Sequence, residues 1–457
     1  MFLDKILPPA TIHMIGIGGI SMSGLAEILK NKGYTVQGSD ANDSNIIKKL
    51  RENDIKVTIG HSEENIGNAS AVIFTAAIKK DNPEYIAATK KNIPLIERSV
   101  LLGEITRLFP DTIAVAGTHG KTTTTSMIST AFIECEKDPT ITVGGELPLI
   151  NGNYKIGQSN FLITEACEYV ESFLELSPKV SVVLNVEADH LDYYKDINHI
   201  KSSFQKFLDK LPSDGFAVLN ADDKNSYELF KNTKCNVVSF GIKNMAKYSA
   251  QNIIFERDKT YYNLYIDNKF ISEVVLTVPG MHNIYNSLAC IAVCDIYKLD
   301  LSKVIESLKT FCGAKRRFEK KGLLNGAEIY DDYAHHPSEI KATLLAAKNR
   351  NMKKVWCVFQ PHTYSRTKAL LNEFANAFYN ADKVIITDIY AAREKDTGEI
   401  NSKDLVNEIQ KTSNNAIYIK DFSDIENYLK DNLQSGDILL TIGAGNVYKI
   451  GEELIEG

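Results

Sequence analysis

The sequence predicts an α/β protein of three domains built on parallel sheets, and three observations lead there. A chain of 457 residues is too long for one compact core. Short Val/Ile-rich runs alternate with helical stretches along its length, the pattern of buried parallel strands joined by crossover helices. Glycine loops and polar clusters recur just after those runs, where open α/β sheets hold their ligands.

Composition narrows the class. With 44% hydrophobic and 24% charged residues, the chain reads as an ordinary soluble globular protein. A net charge of −6 leaves no global basic field to draw it to nucleic acid or anionic lipid. No apolar run approaches the roughly 20 residues that span a bilayer, so no membrane insertion is expected. The stretch Met1–Pro9 lacks the charged-then-apolar order of a secretory signal. Seven scattered cysteines, an odd number without a C-x-x-C pair, point to reduced thiols and a cytoplasmic protein.

The first segment, 1–103, opens with a strand over Ile12–Ile17, the loop Gly16-Ile-Gly-Gly-Ile-Ser-Met-Ser-Gly24 and a helix to about Lys32. A second strand, Tyr34–Gly38, ends at Ser39-Asp40. This imitates the dinucleotide fingerprint, with Ser21 where the third glycine belongs. Gly18, Gly19 and Ser21 would seat a diphosphate over the helix N-terminus, with a ribose hydroxyl near Asp40. Taken alone, the motif also reads as a tight βα turn without ligand. Strand Ala71–Phe74 adds a further strand-end loop at Thr75-Ala-Ala77.

The middle segment, 104–313, carries Ala114-Val-Ala-Gly-Thr-His-Gly-Lys-Thr-Thr123. It departs from G-x-x-x-x-G-K-[ST] in having Val115 six positions before Lys121, which leaves the shorter G-T-H-G-K-T. Backbone N–H groups of Gly117, Thr118, His119 and Gly120 would converge on phosphate oxygens, aided by the helix that Thr123 continues. Lys121 would neutralise the outer phosphates and the Thr122 hydroxyl would complete a Mg²⁺ shell. The expected ligand is therefore ATP or a close analogue, bound through Mg²⁺. Later strands over Phe161–Thr164, Val180–Leu184, Phe216–Leu219 and Val237–Phe240 end in polar clusters. Among these, Glu165 and His190 are expected to hold a second Mg²⁺ beyond the terminal phosphate. Residues 248–278 alternate apolar and polar, as an antiparallel hairpin does. Met281-His-Asn283 then opens an apolar helix to about Tyr297.

The last segment, 314–457, repeats the β-α alternation, with strands over Ala327–Tyr330, Val355–Phe359, Val384–Thr387 and Ile438–Ile442. At its joint, Lys315-Arg-Arg-Phe318 is either a solvated basic linker or a hinge whose arginine grips phosphate. The cluster Asp331-Asp-Tyr-Ala-His-His-Pro337 is expected to cost stability unless something is bound there. Its two histidines are candidate zinc ligands, but no Cys/His spacing of a structural site accompanies them. Arg366 with His362 would suit a small carboxylate or a transferring phosphate, or is an ordinary surface pair.

With these motifs assembled, the chain resembles the Mur ligases, ATP-dependent enzymes that add amino acids to the peptidoglycan precursor. The resemblance runs through Gly16–Gly19, Gly117–Thr122, Glu165, Glu187-Ala-Asp-His-Leu-Asp192 and Pro279-Gly-Met-His-Asn283. It continues through Arg316–Glu319, Asp331–Pro337 and Phe359-Gln-Pro-His-Thr-Tyr-Ser-Arg366. It implies a Rossmann-like N-terminal domain for the UDP of the substrate, a central P-loop ATPase-type domain and a Rossmann-like C-terminal lid. On that analogy Asn283 contacts adenine, Arg317 and Asp332 hold nucleotide, and His335 and Arg366 face the incoming amino acid. Thr363 stands where some members carry a further arginine, so the carboxylate clamp is expected to be built differently. Within the family, Gln360–Arg366 resembles enzymes that join L-alanine to the lactyl carboxylate of UDP-N-acetylmuramate, through an acyl phosphate, with release of ADP and phosphate. The expected catalytic set is Lys121, Glu165, His190, His335 and Arg366, in a monomer or weak homodimer. A ligase recycling a muramyl tripeptide and a regulatory P-loop NTPase are the alternatives.

Overall fold

The computed structural model describes residues 3–75, 77–191, 193–392, 394–413 and 415–456. Ala76 of the Thr75-Ala-Ala77 loop and Asp192 of the Glu187–Asp192 motif lie outside the described residues. The chain forms two compact units, Met1–Tyr248 with Leu288–Ser307, and Ser249–Ser287 with Leu308–Gly457.

The first unit holds two sheets. Strands β1 (Thr11–Ile15), β2 (Thr35–Asp40), β3 (Lys56–Ile59), β4 (Ala71–Phe74) and β5 (Leu95–Glu97) pair in parallel, in the order β3-β2-β1-β4-β5. That doubly wound order brings strand ends β1 and β2 together beneath the first glycine loop. Helix α1 (Ile20–Asn31) leaves that loop, followed by α2 (Asn45–Glu52), α3 (Pro83–Lys90) and α4 (Arg98–Thr106). The domain break expected at 103/104 falls inside α4. There Gly103 packs so tightly that a Cβ would stand 2.4 Å from the Glu175 carbonyl oxygen.

The second sheet of this unit contains β6 (Asp111–Ala116), β7 (Thr140–Leu147), β8 (Gly152–Lys155), β9 (Phe161–Glu165), β10 (Val180–Val183), β11 (Phe216–Asn220) and β12 (Asn236–Gly241). Their order is β12-β11-β10-β6-β9-β7-β8, parallel except for the β7–β8 hairpin. Register does the positioning. Val115 lies opposite Glu165 and Ala116 opposite Val183, so both neighbouring strand ends flank the turn that begins at Gly117. Helix α5 (Lys121–Glu134) follows that turn with Thr122 through Phe132 buried. Four consecutive threonines are poor helix formers, so burial of this segment sets its helical state rather than propensity.

The second unit begins with three strands rather than the single hairpin expected over 248–278: β13 (Tyr248–Phe255), β14 (Thr260–Ile266) and β15 (Lys269–Leu276), with β14 and β15 antiparallel. A six-stranded sheet follows, formed by β16 (Glu319–Leu324), β17 (Ala327–Asp332), β18 (Val355–Phe359), β19 (Lys383–Ile386), β20 (Ala416–Tyr418) and β21 (Ile438–Ile442). Its order is β16-β17-β21-β18-β19-β20, with only β16 antiparallel to its neighbour. Asp332 and Phe359 both face Ile442 in register, so the polar clusters after β17 and β18 and the Gly443 turn emerge at one end of the sheet. Among the described residues, no helix is long and apolar enough to cross a membrane, and all seven cysteines are free.

Candidate active site

The first glycine loop is built from backbone. The amides of Gly16 and Ile17 donate to the Ser39 carbonyl at 2.8 and 3.0 Å, which ties the loop to the end of β2. The Gly18 amide donates to Asp40 Oδ2 at 3.0 Å. Asp40, expected beside a ribose, thus also fixes the loop. Gly19 caps α1 without a side-chain hydrogen bond, so the first helical amides remain available to an anion. Ser21 Oγ accepts from Arg98 Nη1 at 3.0 Å, and Thr75 Oγ1 accepts from the Ala77 amide at 3.2 Å. Beneath the loop a fully buried Glu84 carboxylate accepts from Ser39 Oγ at 2.6 Å and lies 3.0 Å from His13 Nε2.

The second loop begins at Gly117 (φ +144) and ends at Gly120 (φ +86), backbone that suits glycine. Asn185, brought alongside by β10, accepts from the His119 amide at 2.8 Å and donates Nδ2 to the His119 carbonyl at 3.1 Å. Thr118 Oγ1 accepts from the Glu187 amide at 2.9 Å, and His119 Nε2 lies 3.4 Å from Glu187 Oε2. Lys121 Nζ donates to the carbonyls of Gly117 and Thr118, at 2.5 and 3.1 Å, and to both oxygens of Glu168, at 3.1 and 2.9 Å. Burial works against the ammonium charge, but the Glu168 carboxylate outweighs it and raises the Lys121 pKa above the ordinary lysine value.

Glu168 escaped the sequence reading. It lies three residues beyond Glu165, and that Glu-x-x-Glu spacing after a strand was the available signal. Glu165 itself accepts from the Gly144 amide at 2.5 Å, and a Cβ at Gly144 would stand 2.8 Å from that carboxylate. His190 Nε2 lies between two carboxylates, 3.9 Å from Glu168 and 3.8 Å from Asp189. Val170, Glu171 and His190 all carry left-handed backbone (φ +48, +56 and +53). For a β-branched valine that conformation is costly, and such strain concentrates at working sites. Thr122, Glu165 and Glu168 carry oxygen donors of the kind a hard divalent cation takes, but among the described residues Glu165, Glu168 and His190 do not draw their ligand atoms together.

In the second unit, the carboxylates of the acidic and histidine cluster find hydrogen-bond partners, yet burial raises the pKa of both Asp331 and Asp332, so their ionised forms still carry a cost. Asp331 pairs with Arg316 Nε at 2.9 Å and accepts from Thr441 Oγ1 at 2.8 Å. Asp332 accepts from the amides of Phe318 and Ala334, at 2.9 and 2.8 Å. Burial pushes the Asp332 pKa up to about 6 despite the nearby Arg317 charge. Arg316 also donates to the carbonyls of Gly443 and Gly445 and lies over the Tyr333 and Tyr448 rings. It is a structural clamp rather than a solvated linker residue, while Arg317 lies over Tyr333, 5.3 Å from its centroid. His336 caps the helix Pro337–Lys348 in a capping box with Glu339.

Three rings and a guanidinium meet at the end of this sheet. His335, held by the Tyr333 carbonyl at 3.0 Å, has its ring 5.9 Å from that of His362. Arg366 Nη1 lies 3.5 Å from His362 Nδ1. On the other side Tyr390 stacks on His362, with centroids 5.8 Å apart and planes inclined at 20°. Tyr390 and Glu394 arrive from the loop after β19 and were not anticipated. Glu394 accepts from the Ser365 amide at 2.9 Å, at the start of the helix that carries Arg366. Thr363 caps that helix from a backbone at φ +67, another strained β-branched residue. Asn283, in the same unit, donates to the Pro279 carbonyl at 2.7 Å and accepts from Asn286 at 3.0 Å.

Three family models match the chain in sequence: the Mur ligase family catalytic domain over residues 11–110, the Mur ligase middle domain over 115–294, and the Mur ligase glutamate ligase domain over 316–445. The chain belongs to the Mur ligase family. It is 52% identical to the UDP-N-acetylmuramate–L-alanine ligase of Acetivibrio thermocellus over 97% of this chain and 95% of that protein. It is 51% identical to the enzyme of the same name from Caldanaerobacter subterraneus, over 97% of each. The crystal structure of UDP-N-acetylmuramate–alanine ligase from Thermotoga maritima superposes with a TM-score of 0.84 at 29% identity, covering 98% of each chain. A murein peptide ligase from Psychrobacter arcticus, 21% identical, shares the fold with a TM-score of 0.74. The three-domain α/β architecture is thus that of the Mur ligases.

Proposed function

We propose that this Mur ligase joins L-alanine to the lactyl carboxylate of UDP-N-acetylmuramate, consuming ATP and releasing ADP and phosphate in peptidoglycan precursor synthesis. The observation that carries this reading is the near-full-length likeness, at about half identity, to enzymes named for that reaction. The geometry is consistent with it. A carboxylate resists attack by an amine until one oxygen becomes a good leaving group, so the lactyl carboxylate attacks the γ-phosphorus and ADP departs. The alanine amine then attacks the acyl carbon, and the tetrahedral intermediate collapses with loss of phosphate. Such phosphoryl transfer needs placement and neutralised charge more than a protein nucleophile.

The amides of Gly117–Gly120 and the α5 N-terminus receive the phosphates, and Lys121 exchanges Glu168 for the γ-phosphate. Thr122 would hold one Mg²⁺ and Glu165 with His190 a second, which when bound supply charge for the phosphoryl oxygens. Gly18, Gly19, Ser21, Asp40 and Thr75 receive the sugar nucleotide. Asn283, Arg317 and Asp332 are assigned to ATP, and His335, His362 and Arg366 to alanine. Segments 1–103, 104–313 and 314–457 are the domains that carry these roles, in a cytoplasmic monomer or weak homodimer. ADP release by the purified full chain is expected to require UDP-N-acetylmuramate and L-alanine together. Release without any amino acid would point to a regulatory NTPase, and a strong preference for the muramyl tripeptide's peptide over alanine would point to recycling.

A further inference from the structure

We infer that Tyr390 is the wall that limits the side chain of the amino acid accepted by this enzyme. The inference rests on the assignment of His362 and Arg366 to the amino-acid carboxylate, proposed above, and concerns a residue outside every motif of the sequence.

Tyr390 is tied to the neighbouring loop through its backbone. Its amide donates to the Pro361 carbonyl at 2.8 Å, and its carbonyl accepts from the Thr363 amide at 2.9 Å. Those two bonds straddle His362 and form an isolated parallel bridge between His362 and Tyr390. Bridge partners present their side chains to the same face, which is why the two rings stack. Gly445 closes the back of the Tyr390 ring, since a Cβ there would stand 2.8 Å from Tyr390 Cγ and 2.2 Å from Gln360 Oε1. The ring is thus bracketed by Gly445 and His362 and has no room to step back. An α-amino acid whose carboxylate is gripped by Arg366 carries the first atom of its side chain two bonds from the carboxyl carbon. Next to the gripping pair stand two rings, His335 and Tyr390. His335 is polar and fastened to the Tyr333 carbonyl. Between Gly445 and His362, the exposed rim of the Tyr390 ring offers the apolar surface that a methyl group would meet.

The test compares kcat/KM for L-alanine, L-2-aminobutyrate and L-valine in alanine-dependent ADP release. One added methylene against a fixed wall is worth about 10-fold or more in discrimination. Tyr390→Ala is expected to lower the alanine preference over 2-aminobutyrate at least about 10-fold, with KM for ATP and for the sugar nucleotide within about 2-fold of the parent. Tyr390→Phe keeps the ring and is expected to keep the preference. If Tyr390→Ala does not fold, Tyr390→Leu is read in the same way, since it keeps bulk against Gly445 while losing the ring. An alanine preference unchanged in the folded variant overturns the inference. Failure of the underlying functional reading looks different, because the parent protein then shows no ADP release that depends on any amino acid of the panel.

Discussion

The phosphate loop of the first unit and the ring cluster of the second are two ways of building a site. The former is made of backbone. Gly117 and Gly120 supply left-handed turns, Asn185 clamps the His119 peptide from both sides, and one side chain, Lys121, brings the charge. The latter is made of side chains from three loops, His335 after β17, His362 and Arg366 after β18, and Tyr390 after β19. A backbone cradle recognises what all phosphates share, while a side-chain cluster discriminates among small molecules. Damage to the first should stop chemistry whatever the substrate, and damage to the second should alter which amino acid is used.

The largest effect that separates them is expected from Lys121→Ala. Turnover should fall by about 10³-fold or more, because the developing charge on the γ-phosphate loses the lysine charge beside it. Sugar-nucleotide affinity, measured by calorimetry, should stay within about 2-fold, since the loop at Gly16–Gly24 has its own anchors in Ser39 and Asp40. Removing Lys121 also strands the buried Glu168 carboxylate, so the single variant should lose stability, by about 3 kcal/mol. Adding Glu168→Gln should restore most of that stability and none of the activity. Recovery of activity in the double variant would mean that Lys121 serves the fold and not the phosphate.

A smaller and more selective loss is expected in the ring cluster. Arg366→Ala should raise KM for alanine by about 10²-fold, the value of a charge-assisted fork on a carboxylate, while KM for ATP holds. Arg366→Lys should recover only part, because an ammonium cannot make both parallel bonds. Equal rises for ATP and alanine would dissolve the distinction between the two sites.

The same contrast explains what could be read in advance. The phosphate loop is contiguous, so strand, glycine turn, Lys121 and Thr122 announce themselves together, and Val/Ile runs such as Val180–Val183 mark strands buried on both faces. Glu168, Tyr390 and Glu394 reach their sites only through pairing and register. No local periodicity distinguishes them from other polar loop residues. Several strands missed were short or at sheet edges, such as Leu95–Glu97 and the lysine-bearing Glu319–Leu324, because an edge strand is kept polar and brief, but the eight-residue β7 inside its sheet was missed as well. The partners of the Asp331–His336 cluster could not be read in advance for a related reason. Its partners, Arg316, Thr441 and the Phe318 amide, come from elsewhere in the chain or from the turn before β16.

The finest distinction lies within one strand, β17, whose two ends carry carboxylates with pKa values moved in opposite directions. At one end burial opposes the Glu328 charge, but Arg350, Arg257 and Lys320 outweigh it and hold its pKa down at about 2. At the other end burial pushes Asp332 up to about 6. The signs follow from linkage. Glu328, depressed when folded, contributes stability that is complete above its ordinary value near 4.5 and is lost as pH falls towards 2. Asp332, raised when folded, contributes stability that is complete below its ordinary value near 3.8 and is lost as pH rises through 6. Each is worth about 3–3.5 kcal/mol at most, at about 1.4 kcal/mol for every tenfold change in proton affinity. The sole tryptophan, Trp356, lies buried in this unit with its Nε1 donating to Asp437 at 3.0 Å, so its fluorescence reports unfolding here. In urea titrations of the full chain, Asp332→Asn should flatten the decline between pH 4 and 6.5 by about that amount and leave the acid limb intact. Glu328→Gln should flatten the acid limb alone. Absolute stability is the poorer readout, because an amide at 332 cannot accept from both the Phe318 and Ala334 amides. The slope with pH is insensitive to that loss, and a slope unchanged in Asp332→Asn would mean that this carboxylate is ionised in the folded protein well below pH 6.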